Sequence, residues 1–276
     1  MNLGFVFTNF NNSKVTRDAV QSIYQNCLYH VVNVVIVDNK SEQSEVESLM
    51  VLKRDFSDIN IIINDENLGY FKGLNVGLKF LKDHFNVVMD LTIIGNNDLI
   101  FQQNFFKSIS LNKTIFEKYP VISPNLITLD GIHQNPHVIS KISRFRELIY
   151  DLYYTSYLLA LIINQIAKIT KTITDRDDEM QYAIAQQIYQ GYGACYILSP
   201  LFFKHFDQLW APTFLMGEEL FLSKQLEDKS FKVFYEPSII VSHQCHATMS
   251  KMPRKQIWSI AKLSHKTYRK YVKIWD

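Results

Sequence analysis

From Leu3 to Ile94, apolar and β-branched runs alternate with segments whose apolar residues recur at helical spacing, and every run stops at a polar cluster. Val31 to Val37 is the clearest case. Nearly unbroken, it has the character of a strand buried on both faces, and it ends abruptly at Asp38-Asn39-Lys40-Ser41. Leu3 to Phe7 ends at Thr8-Asn9, Ile59 to Ile63 at Asn64 to Asn67, and Val87 to Ile94 at Gly95-Asn96-Asn97-Asp98. Helices are expected over Ser13 to Cys27, Glu42 to Phe56 and Phe71 to His84. Strands alternating with helices imply a parallel sheet with right-handed crossovers, and such sheets bind ligands beyond the carboxyl ends of their strands. One polar cluster alone is as well explained by turns and helix caps. Four along one edge point to a site.

Beyond Asp98 the alternation weakens. Phe101 to Tyr119 reads as a helix, Val121 to Leu129 as a strand, and residues 140–171 as a helical insertion. No charged side chain occurs from Leu152 to Ala167, while Arg144, Arg146, Lys168 and Lys171 flank that interval. A membrane-spanning helix needs about 20 apolar residues. The interval is shorter, so a true span is the least favoured reading, and an in-plane membrane or acceptor-side helix and an ordinary buried helix both remain open. Gln190 to Ser199 is strand-like, with Gly191 and Gly193 leaving room for a ligand to approach the backbone. Two short strands follow, Lys232 to Tyr235 and Ser238 to Val241. Between these regions an aromatic-rich run, Leu209 to Met216, leads to Gly217-Glu218-Glu219-Leu220. Carboxylates at a helix start are ordinary, because the helix dipole favours negative charge there. Their place at the end of a series of polar clusters makes them candidates for chemistry.

The 276 residues, 47% of them apolar, suffice for a sizeable core. Three cysteines, Cys27, Cys195 and Cys245, are too few and too irregularly spaced for a disulfide framework, and Cys245-His246 lacks partners at zinc-ligand spacing. The first residues carry no basic segment and their apolar run breaks at Thr8-Asn9, so no secretory signal is expected. With its cysteine usage, a reducing cytoplasm is the expected compartment. The net charge of +2 hides an asymmetry: residues 251–276 hold eight Lys or Arg and one acid, leaving +7 on the tail and −5 on residues 1–250. A basic amphipathic helix from about Lys255 to Trp275 on an acidic body suits an anionic membrane surface, and equally suits packing of its apolar side on the domain. No nucleic-acid partner is expected. A nicotinamide enzyme is disfavoured, since the loop Thr8 to Ser13 contains no glycine and Asn67 to Gly77 is not Gly-x-Gly-x-x-Gly.

Taken together, the motifs resemble the family 2 glycosyltransferases, in particular the bacterial branch that includes rhamnosyltransferases of surface-polysaccharide synthesis. Val35-Ile36-Val37-Asp38-Asn39 resembles that family's second strand and nucleoside-binding Asp; Asn67-Leu68-Gly69-Tyr70 with Lys72, Gly73, Asn75 and Gly77 resembles its Asn-x-Gly-aromatic segment. Gly95-Asn96-Asn97-Asp98 stands at the metal motif, Gly191-Tyr192-Gly193-Ala194 at the acceptor-side strand, and Phe214 to Glu219 at the aromatic approach to the catalytic carboxylate. His243 falls where the family carries a late histidine.

The resemblance spans about residues 3–246 and implies an α/β fold of GT-A type. Residues 1–250 would form one domain around a mostly parallel mixed sheet, with a nucleotide-sugar half, residues 1–100, and an acceptor-side half, residues 101–250. It further implies inverting transfer from a nucleotide-diphosphate sugar, dTDP-rhamnose or UDP-hexose, to a glycan or lipid-linked glycan at the inner membrane face. Glu219 would be the base with Glu218 beside it; Thr8, Asn9, Asp38, Asn39, Asn67, Gly69, Tyr70, Lys72, Asn75, Asn96 and Asn97 would line the nucleotide-sugar side; Gly191 and Gly193 would face the acceptor. Asp98 and His243 would hold Mn2+ or Mg2+. Two departures stand out: Asn96 replaces the first Asp of an Asp-x-Asp, and Glu219 stands where Asp is usual. A non-catalytic sugar-nucleotide or glycan-binding partner in an assembly complex is the alternative.

Overall fold

The computed structural model describes residues 1–85, 89–169, 181–245 and 253–274. A single nine-stranded mixed sheet, flanked by helices, runs through it in the order β3-β2-β1-β4-β8-β6-β9-β5, with β7 also on β9. The N-terminal half follows the expected alternation: β1 (Asn2–Asn9), α1 (Ser13–Asn26), β2 (Val31–Asp38), α2 (Gln43–Asp55), β3 (Asn60–Ile63), α3 (Tyr70–His84) and β4 (Leu91–Asn96). β1 pairs in parallel with both β2 and β4, and β2 with β3. Their carboxyl ends therefore share one edge. The fourth strand starts at Leu91 rather than Val87, and residues 86–88 lie outside the described ones.

The C-terminal half departs further from the sequence reading. The helix expected over 101–119 is two, α4 (Gln103–Leu111) and α5 (Lys113–Lys118), divided at Asn112, after the two-residue strand β5 (Leu99–Ile100). β6 (Val121–Thr128) contains Pro124, tolerated because its pairing with β9 (Val233–His243) shifts register between Pro124 and Asn125. The two late strands are thus one, whose first part pairs with β7 (Gln186–Ile188) and whose last residues pair with β5. β8 (Cys195–Leu198) runs against both β4 and β6. Only Cys195 to Leu198 is strand, so Gly191 and Gly193 sit in a loop rather than in the strand expected there.

The insertion is a helical hairpin, α6 (Arg144–Tyr153) and α7 (Tyr157–Ile169). α8 (Pro200–His205), α9 (Glu218–Glu227) and α10 (Arg254–Tyr268) complete the described helices. α10 stops at Tyr268, short of the expected helix, and Trp275 lies outside the described residues. Its inward side packs on the domain. Tyr268 Oη donates to Glu147 Oε1 at 2.9 Å, Arg269 bonds Glu147 and Asp151 at 2.8 and 2.6 Å, and Ser264 Oγ donates to the Leu215 carbonyl at 2.7 Å. α7 differs: among its described residues only Ala160 is buried, while Leu158 and Ile169 are 69% and 84% exposed. No described helix is long and apolar enough to cross a membrane.

Two apolar clusters sandwich the sheet. In one of them Phe101 meets Phe5 edge-on at 5.2 Å and stacks on Phe7 at 5.9 Å, anchoring the chain just beyond Asp98. Truncating such a fully buried aromatic costs about 3–5 kcal/mol, so the turn at Asp98 is held by core packing.

Candidate active site

At the shared strand edge the polar side chains bind one another. Asn9 Nδ2 donates to Asp38 Oδ1 at 2.7 Å, Ser41 donates to both Asp38 oxygens, and Thr16 Oγ1 donates to Asn9 Oδ1 at 2.8 Å. Asn97 Nδ2 donates to Thr16 Oγ1 at 2.7 Å and Asn9 Oδ1 at 3.1 Å, tying β4 to this cluster. Asn39 Nδ2 donates to the Gly69 carbonyl, and Asn67 Oδ1 accepts from Gly69 N–H. Asn9, Asp38, Asn39, Asn67 and Asn97 therefore spend much of their bonding capacity shaping the edge. Thr8 and Asn96 are half-buried and Lys72 is exposed. Asn75 has a different task from the one expected: its amide makes two bonds, 2.8 and 2.9 Å, to the backbone of Leu209, pinning the aromatic run.

That run is pinned again by Gly69. A Cβ at this position, whose φ is +84°, would overlap the Phe214 carbonyl, and Tyr70 N–H donates to the same carbonyl at 3.1 Å. Only glycine allows the approach. Met216 and Gly217 then both take left-handed backbone conformations, turning the chain into α9 so that Glu218 and Glu219 occupy its first turn.

The loop from Gly191 to Ala194 is held at successive backbone groups. Tyr196 Oη donates to the Gly191 carbonyl, Asn135 Oδ1 accepts from Tyr192 N–H, Tyr70 Oη donates to the Gly193 carbonyl, and Asn96 N–H donates to the Ala194 carbonyl, all within 2.9 Å. Tyr70 thus acts as a brace, its hydroxyl held well above the usual range by burial. Glu219 lies against this loop: a Cβ on Gly193 would overlap Glu219 Oε1, and Gly193 N–H bonds the carboxylate.

Glu218 is 4% exposed and its Oε1 has no hydrogen-bond partner among the described residues. Burial raises the pKa of both carboxyls, and the neighbouring Glu219 raises Glu218 further. Two carboxylates cannot both ionise cheaply in such a place. Glu219, half-buried and hydrogen-bonded by Gly193, is better suited to carry the charge.

Asp98 meets His243 because β5 pairs antiparallel with the end of β9, Leu99 opposite His243. Nε2 of His243 lies 3.1 Å from Asp98 Oδ1, and both residues are buried. On the other side Gln134 Oε1 is 2.6 Å from His243 Nδ1, while Gln134 Nε2 faces Cys245 Sγ. With the Gln134 oxygen accepting, Nδ1 carries the hydrogen and Nε2 turns a lone pair toward a carboxylate. Such a contact calls for a proton or a cation, and oxygen with imidazole nitrogen is a donor set that suits Mn2+. Among the described residues no group of three or more His, Cys, Asp or Glu could hold a metal, so two protein ligands are what this edge offers. His246 lies outside them.

Tyr192 links the two centres. Its ring is 6.1 Å from that of His243, and burial, with Cys245, Glu219 and Asp98 nearby, raises its pKa. Tyr192 lies in the Gly191 to Ala194 segment that the sequence motifs pointed to, whereas Gln134 and Asn135 carry no spacing that would single them out; the fold alone brings them there.

Residues 5–91 match the family described as Glycosyl transferase family 2. No curated protein matches the sequence. Among solved structures, the chain is similar to the mannosyltransferase PcManGT from Pyrobaculum calidifontis in complex with GDP-Man and Mn2+, with 10% identity, a TM-score of 0.56, and 98% of this chain and 65% of that one covered. It is also similar to GalNAc-T7 with UDP, GalNAc and Mn2+, at 11% identity and TM-score 0.54, covering 88% and 44%. A third is TarS residues 1–349 of S. aureus, at 10% and 0.52, covering 88% and 60%. The chain spans about two fifths to two thirds of the length of these proteins. The fold is the GT-A type: one α/β domain around a mixed, mostly parallel sheet.

Proposed function

We propose that this protein is an inverting glycosyltransferase that moves a sugar from a nucleoside diphosphate to an acceptor hydroxyl, with Glu219 as the base. The observation that carries the reading is the seat of Glu219 on Gly193, in the same loop whose Tyr192 adjoins Asp98 and His243. A sugar hydroxyl is a poor nucleophile until a carboxylate takes its proton. As Glu219 does so, the acceptor oxygen bonds to the anomeric carbon. The bond from that carbon to the diphosphate breaks, and its electron pair leaves with the diphosphate. One base and no covalent nucleophile invert the anomeric centre.

Asp98 and His243 are the residues that would hold Mn2+ or Mg2+, which when bound neutralises the charge growing on the leaving diphosphate. Of the expected donor-side residues, Thr8, Lys72 and Asn96 are those left to face the nucleotide. The donor that the family resemblance favours is dTDP-rhamnose, followed by UDP-hexose. The acceptor is a glycan or lipid-linked glycan of cell-surface polysaccharide synthesis. If it is lipid-linked, the membrane contact falls to α7, whose exposed Leu158, Ile162 and Ile166 lie between Arg144 and Lys168, rather than to α10, whose inner side is occupied.

A thermal-shift screen of dTDP-, UDP- and GDP-sugars with each metal tests the reading. A true donor at 100 times its dissociation constant adds about 2.7 kcal/mol of stability. A screen in which no nucleotide sugar shifts the transition would count against it.

A further inference from the structure

Directly beside Glu219, lined by residues from His137 to Tyr268 and by none of β1 or β2, lies a cavity of about 280 Å³. Small-molecule sites usually start at about 300 Å³, so it is the size for one sugar ring rather than a nucleotide. Its floor is the start of α9 with Glu219; one wall is Tyr150 of α6 and Tyr154 just beyond it; the opposite wall is α10, with Ala261 facing in.

Two features distinguish this cavity from a packing fault. Gln190 lines it, is 4% exposed, and its Nε2 has no hydrogen-bond partner among the described residues. A buried amide donor without a partner costs about 1–3 kcal/mol, and a ligand hydroxyl would satisfy it. The walls, moreover, are fixed by bonds that leave the cavity open. Tyr268 and Arg269 hold α10 to Glu147, His265 Nε2 bonds Asp151 at 2.7 Å, and Trp258 Nε1 donates to the Tyr153 carbonyl at 3.3 Å. Aromatic walls with a polar donor and a carboxylate at one end are the chemistry that recognises a pyranose: ring faces stack on tyrosines, and hydroxyls take the polar groups.

We propose that this cavity is the acceptor subsite, that Gln190 orients the acceptor sugar toward Glu219, and that the basic C-terminal helix is its wall. The proposal rests on the reading of Glu219 as base. It gives α10 a task in substrate selection, and it makes the helical insertion and the tail a single acceptor-binding unit although they lie about a hundred residues apart in sequence.

Saturation-transfer NMR on the full chain with methyl pyranosides of the gluco, galacto, manno, rhamno and N-acetylglucosamine series tests it, alongside titration of GDP, UDP and dTDP with MnCl2. At least one glycoside should receive saturation from the wild type. Ala261→Phe, which fills the cavity, should abolish that signal with nucleotide binding intact. Gln190→Leu should weaken glycoside binding roughly three- to tenfold, the value of one neutral hydrogen bond, and it decides the matter alone should Ala261→Phe fail to fold. Absence of any glycoside signal from the wild type, or a signal that survives in both variants, overturns the proposal. Glu219→Gln separates the two ideas: normal turnover in that variant, with glycoside binding still lost in Ala261→Phe, would remove the base and leave the subsite.

Discussion

The Glu219 carboxylate rests on the backbone of Gly193, in a space that any Cβ at 193 would occupy. Gly193→Ala should therefore displace the carboxylate, while the Asn9, Asp38 and Ser41 bonds at the nucleotide edge, which do not involve this loop, stay in place. Misplacing a catalytic group by about 1 Å costs on the order of 10²-fold in turnover. Steady-state kinetics should show that loss in kcat, and calorimetry should show unaltered nucleotide binding. A Gly193→Ala enzyme of normal kcat would mean that the seat is unimportant.

Because burial lifts both carboxyls above the ordinary glutamate value of about 4.3, the base is protonated over a wider acidic range. Activity should rise with pH through an acid limb lying above that value. Glu218, raised further by Glu219, stays protonated while Glu219 ionises, so Glu218→Gln, which keeps that position neutral, should leave the limb near its wild-type pH. A limb that moves to clearly lower pH would show that Glu218 carries charge in the wild type.

At the other end of the site, Asp98→Asn supplies an amide donor to the lone pair of His243 Nε2. Thermal melts without metal should be unchanged or slightly higher than those of the wild type. The added stabilisation by nucleotide with Mn2+ should disappear. If the metal-dependent shift persists, Asp98 does not hold the ion.

Much of the N-terminal half was legible in the sequence because its signals are local. A β-branched run such as Val34 to Val37 can be buried only as a central strand, and each polar cluster falls where its strand ends. The C-terminal half was less so, because its contacts are distant. Asp98 meets His243 only through the pairing of β5 with β9, and Tyr192 meets both centres only through a loop fastened by Asn135 and Tyr70. Two late strands were expected either side of Glu236 and Pro237, yet a register shift keeps β9 continuous through them, while β6 runs through Pro124 as expected. Asn75 fits a motif by spacing, but its side chain reaches a backbone segment 134 residues away. The amphipathic pattern of the tail was legible, whereas its partner, α6, could not be inferred from periodicity.

For the membrane, liposome co-sedimentation of Leu158→Ser/Ile162→Ser against the wild type is the relevant comparison. Loss of binding to anionic vesicles, with binding in the wild type that falls as salt rises, is expected if α7 lies on the lipid surface. Equal sedimentation of both proteins, or of neither, would assign the exposed apolar face no role in membrane contact.

The role of Glu219 as base is decided by the turnover of Glu219→Gln with the nucleotide sugar that the screen identifies. Nucleotide binding should stay within experimental error of the wild type, and transfer should fall by about 10²–10⁴, the usual worth of a general base. Undiminished transfer by Glu219→Gln would contradict it.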